Sequence, residues 1–251
     1  MGKSAFTLFK SYIGLLKVIN EEMTLKVDNT GISATGMDPS HVAMIDAKLK
    51  AELFDEFTPM EQDGGNITIN LSEFNKFLER IEKDEIVKID YSAEQAKLTI
   101  NTSIGGRARR FSLPVLDPYE EEVPSPKILF KSSARILTQS VTRAIKDAGL
   151  VSEHMRVAIE GEVVKFDAQG DIGSAINEFT KNSDEVLDIK SEEDSAAMYT
   201  LSYLEDVFAQ LKNIADVVIL ELSTDMPLKI EAGTNDPNLE ATLYLAPMIG
   251  V

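Results

Sequence analysis

The sequence predicts an α+β protein made of two similar domains. Stretches with helical apolar spacing are interleaved with stretches of strict alternation, so both periods are present. Most connections between the alternating stretches are short, which favours antiparallel pairing over crossover connections. The order of elements also repeats. Leu71-Ser72 opens a helix followed by a Val/Ile-rich strand, and Leu201-Ser202 opens the same series, an offset of about 130 residues. The expected organisation is a domain over 1–116, a linker over 117–127 and a second domain over 128–251. Each domain would pack two helices on antiparallel sheets.

The 251 residues are 43% hydrophobic, enough to bury a sizeable core. No run of about 18 apolar residues occurs, so no membrane helix is expected. The start, Met1-Gly2-Lys3-Ser4-Ala5, lacks the apolar segment of a secretory signal. The absence of cysteine excludes disulfides, thiolate metal sites and a Cys nucleophile. It fits a cytoplasmic or nucleoid setting, or a nuclear one in a eukaryote. A net charge of -17 speaks against nucleic-acid binding if the charge is spread evenly. It does not if basic residues are gathered on one surface.

Taken in order, Phe6 to Asn20 reads as a helix with Phe9, Tyr12, Ile13, Leu16 and Ile19 on one face and Lys10 and Lys17 on another. Met23 to Asp28 alternates as a strand, and Asn29-Thr30-Gly31 turns the chain. Ile67 to Leu71 is a strand. Ser72 is expected to cap a helix whose stripe is Phe74, Phe77, Leu78 and Ile81. Lys76, Arg80 and Lys83 fall together on a different face of it. Glu85–Tyr91, Ala96–Asn101 and Arg107–Leu113 read as strands. The Pro-rich, acidic run from Leu116 to Lys127 has no period and reads as a linker.

In the second half, Lys131 to Asp147 reads as a helix with Leu137, Val141, Ala144 and Ile145 inward and Arg135, Arg143 and Lys146 basic. Met155–Glu160 and Val163–Ala168 form a hairpin, and Ser174–Thr180 a strand. Ser183 to Ser195 is acidic and expected to be partly looped. Leu201 opens a helix with Leu204, Val207, Phe208 and Leu211 inward and Lys212 at its end. Ala215–Ser223, Leu228–Glu231 and Leu239–Leu245 close the series as strands.

One corner stands apart. Gly31-Ile32 leads through Met37-Asp38-Pro39-Ser40-His41-Val42 to Met44, two strands joined by turn chemistry that carries apolar side chains beside a histidine. It reads either as a buried β-connection or as the floor of a groove for a partner peptide.

The corner motif, with Leu71-Ser72, Leu116-Asp117, Val164-Lys165-Phe166-x-Ala168-x-Gly170-Asp171-Ile172-Gly173, Asp225-Met226-Pro227-Leu228 and Tyr244-Leu245-Ala246-Pro247, resembles the sliding clamps of archaea and eukaryotes. These form the proliferating cell nuclear antigen (PCNA) family, and the resemblance is to its archaeal type along nearly the whole chain. It implies a trimeric ring that encircles duplex DNA without reading sequence and tethers replication and repair enzymes. Lys10, Lys17, Lys76, Arg80, Lys83, Arg135, Arg143, Lys146 and Lys212 would face the phosphates. A groove for peptides of the Gln-x-x-aliphatic-x-x-aromatic-aromatic type would comprise Met37, His41, Val42, Met44, Tyr119, Val123, Pro124, Pro227, Tyr244, Ala246 and Pro247.

Subunit contact would pair the Arg107–Leu113 strand of one chain, with Arg107, Arg109, Arg110, Phe111 and Leu113, against Ala175, Ile176 and Phe179 of the next. By the same resemblance the partners are DNA polymerase, clamp loader, flap endonuclease and ligase. The ring could close with copies of the chain or with paralogues, and no cofactor or metal is implied.

Two other classes stay open at this level. A specialised heterotrimer or checkpoint-type subunit would act as an interaction scaffold. An enzyme is the other. Against it, His41 and His154 lie in different halves without metal-ligand spacing, and no nucleophile elbow, phosphate loop or dinucleotide fingerprint occurs.

Overall fold

The computed structural model describes residues 1–59, 64–82, 84–117, 123, 126–233 and 235–249. In chain order the elements are α1 (Lys3–Ile19), β1 (Glu22–Asp28), β2 (Gly31–Met37), β3 (Ala43–Lys50), a 3₁₀ turn (Ala51–Leu53), β4 (Gly65–Asn70), α2 (Leu71–Glu79), β5 (Ile86–Ser92), β6 (Lys97–Ile104) and β7 (Arg107–Pro114). They continue as β8 (Ser132–Leu137), α3 (Thr138–Ala148), β9 (His154–Glu160), β10 (Val163–Gly170), β11 (Gly173–Thr180), β12 (Val186–Ser191) and β13 (Ser195–Thr200). The last are α4 (Leu201–Leu211), β14 (Val217–Leu222), β15 (Leu228–Gly233) and β16 (Leu239–Leu245). Among the described residues no helix is long and apolar enough to cross a membrane.

The chain divides into two compact units, each threaded by a short piece of the other half. The first holds Met1–Met37, Ile45–Val123 and Asp236–Glu240; the second holds Asp38–Met44, Pro124–Asn235 and Ala241–Val251.

In the first unit β1 lies between β2 and β4, and β5, β6 and β7 form a separate antiparallel sheet with β7 at its edge. Helix α1 buries Phe6, Phe9, Tyr12, Ile13, Leu16 and Ile19, the i, i+3, i+4 face that the sequence pattern requires. It stops at Asn20, where the backbone turns extended, the Asn20 N–H returns to Leu16 O (3.2 Å) and its amide reaches Met37 O (3.2 Å). Helix α2 packs beside α1, and Phe74 meets Phe9 edge-on at 6.1 Å.

In the second unit the sheet order is β12-β8-β14-β15-β16, with a second antiparallel sheet β11-β10-β9-β13. Helices α3 and α4 pack on each other. The core includes Tyr199, Phe166 and Phe208, each under 3% exposed.

The expected duplication is visible in particular bonds. Leu71 and Leu201 each open a helix, each is buried, and each donates its N–H to the carbonyl of the glutamate just before a strand that follows the preceding helix of its unit: Leu71 to Glu21 O before β1 (2.7 Å), Leu201 to Glu153 O before β9 (2.9 Å). Strands β4 and β13 run straight into α2 and α4.

Three expectations are corrected. Asn70, not Ser72, caps α2: its side chain accepts the Glu73 N–H at 2.8 Å, and Ser72 lies inside the first turn. That helix ends at Glu79, with Arg80 as its C-cap, so of the expected basic stripe only Lys76 lies within the helix, and Lys83 lies outside the described residues. Lys131 to Asp147 is not one helix. Ser132, Ala134 and Ile136 are buried in alternation along β8, which is paired on both sides by β12 and β14, and the helix begins only at Thr138. The acidic run from Ser183 to Ser195 is looped in part, as expected, at 183–185 and 192–194, with β12 between. A register irregularity between Val186 and Asp188 spaces the buried Val186 and Ile189 three apart, which hides the strand period.

Candidate functional site

Three surfaces carry the candidate residues: helix faces, a groove around the Asp38 corner, and two sheet edges.

On the helices, α1 contains no acidic residue, and opposite its buried face stand Lys17, exposed, and Lys10, half-buried. Lys76 on α2 is spent on Glu73 (2.6 Å). Arg80 follows as the C-cap, with its carbonyl accepting a bond from Arg109 (3.0 Å). Lys83 lies outside the described residues. Arg143 and Lys146 are exposed on α3; Arg143 lies 3.6 Å from Glu185, which Ser140 also binds at 2.8 Å. Arg135 is exposed on strand β8, not on a helix as expected, because β8 takes up that stretch. Lys212 is the C-cap of α4, whose exposed face otherwise presents Glu205 and Asp206. The positive charge is therefore concentrated on α1 and α3.

The groove in the second unit is built on one buried carboxylate. Asp38 is 5% exposed. Its Oδ1 accepts the N–H groups of Val42 (2.7 Å) and Ala43 (2.6 Å), and its Oδ2 accepts the Ser40 N–H (3.0 Å) and the Tyr203 hydroxyl (2.9 Å). Burial pushes the Asp38 carboxyl up, but the bonds from Ala43, Tyr203, Ser40 and Val42 outweigh it and hold it below its ordinary value. The bonds also support His41 at φ 58, a left-handed conformation unusual outside glycine, and leave its ring exposed.

Val42 is half-buried, and its carbonyl accepts the N–H of Ala246 at 2.8 Å, which ties the corner to the C-terminal stretch. That stretch continues to Met248, whose N–H bonds Met198 O (2.8 Å) on β13. Pro227, Tyr244, Ala246 and Pro247 are half-exposed. The Asp225–Pro227 turn is fixed by the Tyr199 hydroxyl on Met226 O (2.8 Å). Met44 is 2% exposed, so it supports the floor from beneath and offers no surface.

In the first unit Met37 and Val123 line one small depression with Met23, Thr24 and Thr35. Tyr119 and Pro124 lie outside the described residues. Tyr203 and Met198 were missed from sequence, because nothing local marks a residue whose partner is remote.

The two expected edge strands are edges. β7 ends the first unit's three-stranded sheet, and β11 ends a sheet of the second. Arg107 pairs with Glu82 (2.6 Å), and Arg109 chelates Glu85, whose side chain is 1% exposed. Arg110 Nε bonds Asn101 Oδ1 (2.9 Å), and Phe111 packs on Phe77 at 5.6 Å. Leu113 (4%) and Phe179 (8%) are buried in their own units, whereas Ile176 is 58% exposed and Ala175 half-buried.

Two helices on antiparallel sheets, repeated once, with one basic helix in each unit and a sheet ending at β7 in the first and at β11 in the second, define a clamp-type protein. Residues 3–115 match the proliferating cell nuclear antigen N-terminal domain and residues 125–248 its C-terminal domain. A DNA polymerase sliding clamp of Thermofilum pendens is 30% identical over 223 residues, 88% of each chain. One of Methanococcus vannielii is 30% identical over 244 residues, 96% of this chain and 95% of that one. The crystal structure of PCNA from Thermococcus kodakaraensis superposes with a TM-score of 0.87 at 26% identity, covering 97% of both chains. The chain belongs to the proliferating cell nuclear antigen family.

Proposed function

We propose that this chain is a DNA sliding clamp, a processivity factor that encircles duplex DNA as a trimeric ring and tethers enzymes acting on it. Membership in the family across both halves carries the reading. The segregation of charge supports it: an acidic chain with an acid-free basic face on α1 and a basic face on α3 repels DNA at most of its surface and attracts it at those helices. Phosphate contact without base contact suits a ring that must slide. The chain acts by binding and catalyses nothing itself.

The domain division 1–116 and 128–251, joined by 117–127, belongs to this proposal. So do the groove around Val42 as the seat of partner peptides and edge-to-edge contact of β7 with β11 between subunits. DNA polymerase and clamp loader are the first partners, with flap endonuclease and ligase as further clients. The test is primer extension on circular single-stranded template with a family B polymerase and loader. The wild-type chain extends products past the length reached without it. A chain with Lys10 and Lys17 reversed to Glu, trimeric by native mass, does not. Equal product lengths with and without the wild-type chain overturn the proposal.

A further inference from the structure

We infer that an open slot along β5, in the first unit, binds an extended peptide of a partner protein as an added antiparallel strand. The peptide carries apolar residues at alternate positions with a basic residue between them.

The second unit shows what the slot is shaped for. Strand β14 there corresponds to β5: Asp90 faces Thr99 as Glu221 faces Lys229, and Leu98 faces Leu113 as Leu228 faces Leu245. β14 has a neighbour on each side, β15 and β8, and β8 is flanked on its far side by β12. Among the described residues β5 pairs as a strand only with β6 and ends its sheet. One rung of a second pairing is present. Met1 N donates to Val87 O (3.1 Å), and the Val87 N–H returns to Met1 O (3.4 Å). This is the place of Ile136, which faces Val218 on β14. In both units a helix opens two residues later, at Lys3 and at Thr138. Ala134 and Ser132 make the next rungs with Leu220 and Leu222. Among the described residues no strand does the same beside Ile89 and Tyr91. Leu220 and Leu222 are 0% exposed, whereas Ile89 and Tyr91 are half-exposed.

The result is an opening of about 790 Å³, within the range of about 300–1,000 Å³ usual for ligand sites. β5 lines it from Ile86 to Tyr91, and so do residues 54–59, with Phe54 and Phe57 stacked at 5.3 Å. Backbone chemistry selects an extended peptide over other apolar ligands. Along an antiparallel strand, successive residues turn their N–H and C=O groups to opposite neighbours. Val87 turns its groups to Met1, so Ile89 and Tyr91 turn theirs to the slot. A second strand meets donors and acceptors at that two-residue spacing and sends alternate side chains into the apolar space. Residues opposite Ile89 and Tyr91 point inward with them and must be apolar. The residue between points the other way. Asp55, Glu56 and Asp90 line the opening against one basic side chain, Lys88, which Asp90 holds at 2.9 Å, and the Met1 nitrogen, 3.3 Å from Asp55. A lysine or arginine suits that position, opposite Asp90.

The probe is the peptide Thr-Val-Lys-Val-Thr, with an N-terminal fluorophore and a C-terminal amide, whose valines fall opposite Tyr91 and Ile89. Fluorescence anisotropy with the full-length chain should show binding about tenfold tighter than that of Val-Thr-Lys-Thr-Val, which has the same composition but sets threonine or lysine inward. Bound peptide should slow hydrogen exchange at the Ile89 and Tyr91 amides and leave Lys88 and Asp90, which face β6, unchanged. A chain with Val-Lys-Val-Thr joined ahead of Met1 closes the slot in the same register. It is expected to melt at a higher temperature and to bind the peptide about tenfold more weakly or worse. Four results overturn the proposal: no binding, equal binding of the rearranged peptide, undiminished binding to the closed chain, or protection at Lys88 and Asp90 instead of Ile89 and Tyr91. Nile red bound to the open chain, absent from the closed one and not displaced by the peptide would assign the slot to a small apolar molecule and overturn it as well.

Discussion

Tyr203 on α4 donates its hydroxyl to Asp38 at 2.9 Å, joining residues 165 positions apart in the chain. Three backbone N–H groups bind the same carboxylate, so one side chain shapes the corner that presents Val42 and His41. Tyr203→Phe should lower stability by about 1.5–3 kcal/mol, the worth of a hydrogen bond to a charged group. Asp38→Ala should cost more, since it strands those N–H groups, and should weaken peptide binding. Thermal denaturation and calorimetry with a peptide read both. Because the Asp38 carboxyl is held below its ordinary value, its contribution is complete at neutral pH. It fades as acid carries the pH down through the folded value.

Val42→Asp places a charge on the apolar corner. Binding of a Gln-x-x-aliphatic-x-x-aromatic-aromatic peptide should fall by more than about tenfold, a loss above about 1.4 kcal/mol, while the circular dichroism spectrum stays unchanged. Titration calorimetry checks it, and wild-type affinity would remove the groove from the account.

Glu85 anchors β7 from within. Burial raises its carboxyl, but Arg109, the Glu82 N–H (2.8 Å) and the Thr102 hydroxyl (3.1 Å) prevail and lower it to about 2. A carboxyl lowered in the folded state stabilises above its unfolded value and ceases to do so as pH falls toward 2. Glu85→Gln should therefore cost about 3 kcal/mol at neutral pH, because it leaves the Arg109 charge unpaired beside a buried site. The difference from wild type should shrink between pH 4 and pH 2 in urea titrations.

Charge on α1 should govern the salt response. Lys10→Ala with Lys17→Ala should reduce the slope of log affinity for duplex DNA against log salt by roughly 2, about 0.9 for each phosphate no longer neutralised. Lys212→Ala should change it less, since Glu205 and Asp206 already offset that lysine on α4. Fluorescence anisotropy across a salt series measures both slopes, and an equal effect from Lys212 would contradict the concentration of positive charge on α1 and α3.

Much of the fold was legible because the period of each element is local. α1, α4 and the hairpin strands carry an unbroken spacing of 3.6 or 2 over several turns or pleats. Misreadings fell where that signal was interrupted. The irregularity in β12 broke its alternation, and β8 runs into α3 without a turn, so Leu137 and Val141 extended a helical spacing across a strand. Capping was misplaced by two residues at α2 because Asn70 and Ser72 are both competent caps, and the strand's end decided between them.

By itself the sequence determined the duplicated α+β plan, the acid-free face of α1 and the turn chemistry at Asp38, since each depends on residues a few positions apart. Only the tertiary structure decided that Tyr203 completes the Asp38 cluster, that Met44 lies beneath the groove, that Arg135 belongs to a sheet, and that β7 and β11 end their sheets. Those outcomes turn on which distant segments share a core. Burial energy acts through space, and no local pattern records it.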